Sequence, residues 1–177
     1  MARNDVARPI KIRRARPRDA EAIAAMAAAL TRHEGGANCN VTAEGLQRDG
    51  FGPRRAFTAL IAERGGVAVG YALYFHGYDT DDGGRGVFLC DLWVEPSARE
   101  RGIGRSLVAA VARDCLNRGG GWVTWMALRG NLRARRFYRG LCAREIQGLV
   151  VYELTGEALL RLDTSHATTS RRKSLSR

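Results

Sequence analysis

No apolar run in this 177-residue chain approaches the ~18 residues that a membrane-spanning helix requires. The basic N-terminus also lacks the apolar stretch of a secretory signal, so a cytoplasmic protein without a membrane partner is expected. The cysteines, Cys39, Cys90, Cys115 and Cys142, are not spaced as metal-binding pairs. They read as buried free thiols, three of them in segments expected to enter the core. His33, His76 and His166 form no ligand pattern, so no metal site is expected. Internal repeats are absent as well.

Acidic residues are outnumbered, but the shortage is local. Of a net charge of +11, residues 1–18 contribute +6 and residues 163–177 contribute +3. The body between them carries only +2. The basic ends could touch nucleic acid or an anionic surface, yet the balanced body argues against nucleic acid as the main ligand. Residues 1–9 read as a flexible basic arm and 10–162 as one domain. Residues 163–177, rich in Ser, Thr and Arg, read as a disordered tail.

Strand and helix patterns alternate through the body. Ile10–Arg13 reads as a short strand. Pro17 and Asp19 open an Ala-rich helix with Ile23, Met26, Ala27 and Leu30 on one face. Thr42 caps a shorter helix that ends near Gly50. Phe57–Glu63 and Val67–Tyr78 flank a hairpin turn at Arg64-Gly65-Gly66. A strand at Val87–Val94 leads into a helix carrying Ile103, Leu107, Val108, Val111 and Leu116 at helical spacing. Trp122–Leu128 reads as a strand, and Asn131–Tyr138 as a helix. Gln147-Gly148 reads as a turn between two closing strands that end near Leu154. The expected class is α/β (α+β), one domain with a central, mostly antiparallel mixed sheet flanked by helices.

The most informative stretch is Leu89-Cys-Asp-Leu-Trp-Val-Glu-Pro-Ser-Ala-Arg-Glu-Arg-Gly-Ile-Gly-Arg-Ser-Leu107. A helix that starts in a glycine-rich turn offers unpaired backbone N–H groups at its positive end. Glycine lets phosphates approach that backbone closely. The run Arg99-x-x-Gly102-x-Gly104 is therefore a candidate pyrophosphate cradle. It lacks the third glycine of a dinucleotide fingerprint and the Gly-Lys-Ser/Thr of a P-loop. A second motif, Asn131-x-x-Ala134-x-x-Phe137-Tyr138, opens a helix after a strand. Asn131, Ala134 and Tyr138 share one face, and the small Ala134 leaves room for a linear ligand.

Together, in this order and setting, the two motifs resemble the acetyl-CoA-binding motifs of the Gcn5-related N-acetyltransferase (GNAT) superfamily. The resemblance spans about residues 10–155. Within that superfamily the chain looks closest to the diamine (spermidine/spermine) N-acetyltransferases. Thr42–Gly52, Val69–Phe75 and Phe88–Val94 each resemble segments of those enzymes. Where they carry a Glu-Asp pair, this chain has Cys90-Asp91.

The resemblance implies transfer of an acetyl group from acetyl-CoA to a primary amine by direct attack in a ternary complex. It implies that backbone from Glu100 through Arg101, Gly102, Ile103 and Gly104 to Arg105 holds the pyrophosphate, with Arg99, Arg101 and Arg105 adding positive field. The pantetheine arm would pair along Leu92, Trp93 and Val94, near Asn131 and Ala134. Tyr138 would protonate the leaving thiolate. Asp91 would hold or deprotonate the amine, with His33 and Glu34 as further acceptor contacts. Asp79, Asp81 and Asp82 could attract cations to the mouth. A homodimer is implied, with Leu149–Tyr152 contributing to its interface. Acetylation of a protein amine and a non-catalytic acyl-CoA-binding module remain alternatives, and each motif residue also has an ordinary structural use.

Overall fold

The computed structural model describes residues 8–162 except residue 82. Nearly all of the expected arm, the whole expected tail, and Asp82 lie outside the described residues. The chain divides after Cys142 into two units.

The first unit holds all the strands found among the described residues. Its order is β1 (Ile10–Arg14), α1 (Ala20–His33), α2 (Ala43–Phe51), β2 (Thr58–Arg64), β3 (Val67–Asp79), β4 (Gly84–Val94), α3 (Ile103–Asn117), β5 (Gly120–Trp125) and α4 (Leu132–Arg139). Local chemistry sets the breaks. Pro17 starts a short 3-10 turn ahead of α1. Thr42 caps α2, its hydroxyl accepting the Gly45 N–H at 3.0 Å. Gly65 and Gly66, at φ +59° and +86°, make the two-residue hairpin that joins β2 to β3. Among the described residues no helix is long and apolar enough to cross a membrane.

The strands run β1-β2-β3-β4-β5 in space. The first three pairings are antiparallel and β4–β5 is parallel, giving the expected mixed sheet. Side-chain alternation serves two cores. Leu60, Ala62, Ala72, Tyr74 and Val87 pack with α3 through Leu107 and Val111. Ala59, Ile61, Tyr71 and Trp93 pack on the other face with α1 and α2 through Ile23, Met26 and Leu46.

Two irregularities shape the centre. The β3–β4 register shifts between Leu73↔Asp91 and Tyr74↔Leu89, leaving Cys90 as the extra residue of a bulge. The β4–β5 pairing ends at Leu89↔Trp125. Beyond it β4 continues to Val94 with no strand among the described residues paired on that side, and β5 stops short of the expected Leu128.

The second unit, from Ala143, corrects one expectation. Its described part contains no strand; residues 156–162 are helical. Leu149, Val150, Val151 and Tyr152 are 73%, 70%, 68% and 91% exposed. An apolar β-branched run becomes a strand only against a partner for its backbone, and this run joins no ladder among the described residues. The thiols need a second correction. All four are free, but only Cys115 is buried, and Cys39 is half-buried. The bulge leaves Cys90 exposed, and Cys142 is exposed beyond α4 at φ +63°.

Candidate active site

A cleft of about 840 Å³ opens where β4 parts from β5. One wall is the free side of β4, where Leu92, Trp93 and Val94 line the opening. The turn into α3 follows. Gly102 sits at φ +75°, a left-handed conformation that glycine adopts without steric cost. Glu100 is also left-handed, at φ +64°. The first α3 N–H with an acceptor inside the helix is Ser106, bonded to the Gly102 carbonyl at 2.9 Å. Helix geometry leaves the N–H groups of Ile103, Gly104 and Arg105 without such an acceptor, and these three residues line the cleft.

The arginines divide the work unevenly. Arg99 donates from Nε to the Val94 carbonyl at 2.8 Å, and its guanidinium lies 4.6 Å from the Trp93 ring centroid. It therefore braces the end of β4 as well as facing the cleft. Arg105 reaches the Gly140 carbonyl at 2.6 Å. Arg101 is exposed and does not line the cleft.

The opposite wall is α4. The Asn131 side-chain carbonyl accepts the Ala134 N–H at 3.0 Å, so this residue caps the helix while lining the cleft with Ala134. Tyr138 lies a turn further on. Its ring centroid is 4.9 Å from Trp125 and 5.2 Å from Phe137. Burial, and secondarily the charge of Glu34, holds its phenol above the ordinary value. It is therefore protonated at neutral pH.

The end of α1 closes the third side with Leu30, His33 and Glu34. His33 meets Trp93 edge-on, ring centroids 5.6 Å apart. Asp91 does not line this cleft. It lies on the α1 face of the sheet, where the Tyr71 hydroxyl donates to Oδ2 at 2.9 Å. Burial raises the Asp91 carboxyl above its usual value, and the Tyr71 bond partly offsets this. The Asp79–Asp81 turn lies elsewhere; the Asp79 carboxylate accepts the Asp81 N–H at 2.8 Å. Sequence reasoning did not single out Met126, Arg133 or Arg136, which also line the cleft. The arginine content of α4 was the available signal. Tyr71, buried and two strand positions from Leu73, gave none.

Such a cleft joins a helix start with free N–H groups, the side of a strand that no other strand among the described residues pairs, and a protonated phenol. Residues 24–141 match the model of the acetyltransferase (GNAT) family. The chain is 34% identical to the mouse thialysine N-epsilon-acetyltransferase over 133 residues, covering 69% of this chain and 78% of that protein. It is 30% identical over 97 residues to the Arabidopsis thaliana L-ornithine N5-acetyltransferase NATA1, covering 55% of this chain and 42% of that one. The fold matches an integron cassette protein from the V. cholerae mobile metagenome with a TM-score of 0.73 at 22% identity, covering 87% of this chain and 97% of that one. It also matches an aminoglycoside N-acetyltransferase, AAC(6')-Iy, solved in complex with CoA, with a TM-score of 0.68 at 23% identity, covering 85% and 97%. The chain belongs to the GNAT acetyltransferase family, whose members are N-acetyltransferases that use acetyl-CoA.

Proposed function

We propose that this chain acetylates the side-chain amine of a small lysine-like molecule, by direct attack of the amine in a ternary complex with acetyl-CoA. The observation that carries this reading is the parting of β4 from β5 directly above the free N–H groups of α3, with Tyr138 in the same cleft. Named relatives that act on thialysine and ornithine support the acceptor class.

Acetyl-CoA supplies an activated thioester on an extended arm that ends in a pyrophosphate. The residues present fit such a molecule. The N–H groups of Ile103, Gly104 and Arg105, with backbone from Glu100 to Gly102, bind the pyrophosphate. Arg105, Arg133 and Arg136 add cationic field around it. The unpaired edge at Leu92, Trp93 and Val94 pairs the arm as an added strand would. A backbone N–H on that edge donates to the thioester carbonyl oxygen. Ala134 keeps the facing wall low, and Asn131 holds the arm from α4.

Two protons must move. A primary ammonium with a pKa of about 10.4 is neutral in roughly one molecule in a thousand at pH 7.4. Asp91 lies outside the cleft lining on the α1 face of the sheet and receives the ammonium proton through water, and its burial moves it toward the basicity this task needs. Glu34 and His33 contact the rest of the acceptor. Tyr138 gives its proton to the departing thiolate. From a phenol near 10 to a thiol near 8.5 that transfer is uphill by about 2 kcal/mol before burial adds to it. The hydroxyl therefore has to meet the sulfur as it leaves.

Exposed Leu149, Val150, Val151 and Tyr152 support a homodimer in which this apolar segment meets a partner copy. Light scattering tests that assembly, with a monomer at micromolar concentration overturning it. Four free thiols fit a cytoplasmic setting. The activity is tested by incubating the protein with acetyl-CoA and each of thialysine, lysine, ornithine, putrescine and spermidine, reading release of free CoA. Turnover with a lysine-like amine is expected. No turnover with any of them overturns the reading.

A further inference from the structure

Asp91 differs from the other two aspartates packed into the fold in what surrounds it. Asp19 receives both terminal nitrogens of Arg13, at 2.7 and 2.9 Å, and the Arg16 N–H at 2.7 Å. Asp114 faces Arg14 at 2.7 Å, His76 at 3.2 Å and Arg118 at 3.4 Å, and accepts the Tyr74 hydroxyl at 3.0 Å. Asp91 has one donor, the Tyr71 hydroxyl, and among the described residues no cationic side chain pairs with it. A carboxylate drawn out of water without a counter-ion is costly to keep charged. A primary ammonium is the cation whose arrival relieves that cost.

The bulge brings this pair together. Leu89 points into the α3 core. In a regular strand the residue two positions on would point the same way. With Cys90 inserted as the extra residue, Asp91 turns to the α1 face instead, across from Leu73 and diagonal to Tyr71. Tyr71 is 0% exposed and packs in one cluster with Ile23, Ile61 and Trp93, so its hydroxyl is held in place.

We propose that Tyr71 is a positioning residue for amine acetylation: its hydroxyl holds one Asp91 oxygen and leaves the other to take the acceptor ammonium's proton through water. This rests on the reading of Asp91 given above. The groups around the pair are few. From β4, the Cys90 thiol, desolvated on its packed side and beside Asp91, is pushed up to about 11 and stays neutral near pH 7. From α1 and the segment after it come Glu34, whose charge acts on Tyr71, the Cys39 thiol, and His33, which contacts Trp93. Burial keeps the Tyr71 phenol far above its ordinary value, so it remains a donor throughout the working pH range. No other group on these elements offers Asp91 a hydrogen bond.

The test is kcat/KM for thialysine as a function of pH in wild type, Tyr71→Phe, Asp91→Asn and the double variant. Tyr71→Phe is expected to lower kcat/KM near pH 7 about tenfold, the scale of one hydrogen bond to a charged group. It also moves the acid limb to higher pH, because loss of the donor raises the Asp91 carboxyl. The KM for acetyl-CoA stays close to wild type, and the melting temperature falls only by the few degrees that one lost buried hydrogen bond costs. In the Asp91→Asn background the same substitution adds less than about twofold, as coupled residues do. An unmoved acid limb, or an equal loss with and without Asp91, overturns the inference. An impaired Asp91→Asn beside a silent Tyr71→Phe removes Tyr71 alone. A fully active Asp91→Asn removes the reading of Asp91 and the inference with it.

Discussion

Gly104 lies beneath the Phe137 ring: a Cβ added there would stand 3.2 Å from Cζ and 3.4 Å from Cε2. The second glycine of the α3 motif thus serves two ends. It lets α4 pack across the start of α3, and it leaves no side chain beside the free N–H groups of the helix start.

Gly104→Ala asks the Phe137 ring to move by a few tenths of an ångström, and a small loss of melting temperature is expected. Gly104→Asp adds a negative charge beside the phosphates as well. A like-charge contact near the surface costs about 1–2 kcal/mol, so acetyl-CoA affinity falls about 5- to 30-fold. Calorimetric titration of both variants, with melting curves as fold controls, separates packing from charge. Unchanged affinity in a folded Gly104→Asp protein removes the cradle.

Tyr138→Phe removes only a hydroxyl from a ring packed on Trp125 and Phe137. If the phenol is the proton donor, kcat falls about 100-fold, within the usual scale of general acid catalysis. Acetyl-CoA binding and melting temperature stay near wild type. A normal kcat, with chemistry shown to limit the rate, returns Tyr138 to a packing role.

Cys90 occupies the bulge beside Asp91, where the diamine enzymes that this chain resembles carry a second carboxylate. One fewer carboxylate costs a polycation such as spermidine about 1–3 kcal/mol relative to an amine of net charge near +1. Wild type is therefore expected to show no strong preference for spermidine over thialysine in kcat/KM. Cys90→Glu moves the ratio toward spermidine by about 5- to 150-fold. A wild-type enzyme that favours spermidine a hundredfold contradicts the account and hands the missing charge to Asp91 or Glu34.

Arg13 and Asp19 form the most enclosed ion pair of the described fold, with side chains 14% and 9% exposed. The Arg13 hydrogen bond, ahead of the Arg16 N–H, holds the Asp19 carboxyl below its usual range. Its native pKa is thus lower than the unfolded value of about 3.9. The stabilisation is complete above that value and is lost as pH falls through the native one. Asp19→Ala leaves Arg13 facing Glu63 alone and is expected to cost about 3 kcal/mol. Denaturant melts from pH 3 to 7 check this, the variant losing less stability than wild type on acidification. Parallel curves would mean that the pair carries none of the acid sensitivity.

The walls of the cleft built on α3 and α4 were legible because their residues are local. Arg99 to Arg105 and Asn131 to Tyr138 are each one strand-to-helix junction, and spacing along the chain fixes their geometry. The Asp91–Tyr71 pair was not. Asp91 was identifiable as a carboxylate on β4, but its face depends on the Cys90 bulge, and its partner Tyr71 comes from β3 through sheet register. Neither is written in local periodicity. The run from Leu149 to Leu154 has strand composition, yet composition does not supply a partner, and it pairs with nothing among the described residues. Arg101 failed for a simpler reason: the left-handed turn at Glu100 and Gly102 leaves it exposed and away from the cleft.

The most direct test of the account is an initial-rate matrix in acetyl-CoA and thialysine, reading free CoA. Direct attack in a ternary complex requires both substrates to be bound before any product leaves, so double-reciprocal lines at different acetyl-CoA concentrations should intersect. Parallel lines, the signature of a covalent acetyl-enzyme, or no CoA release above the uncatalysed rate, would contradict it.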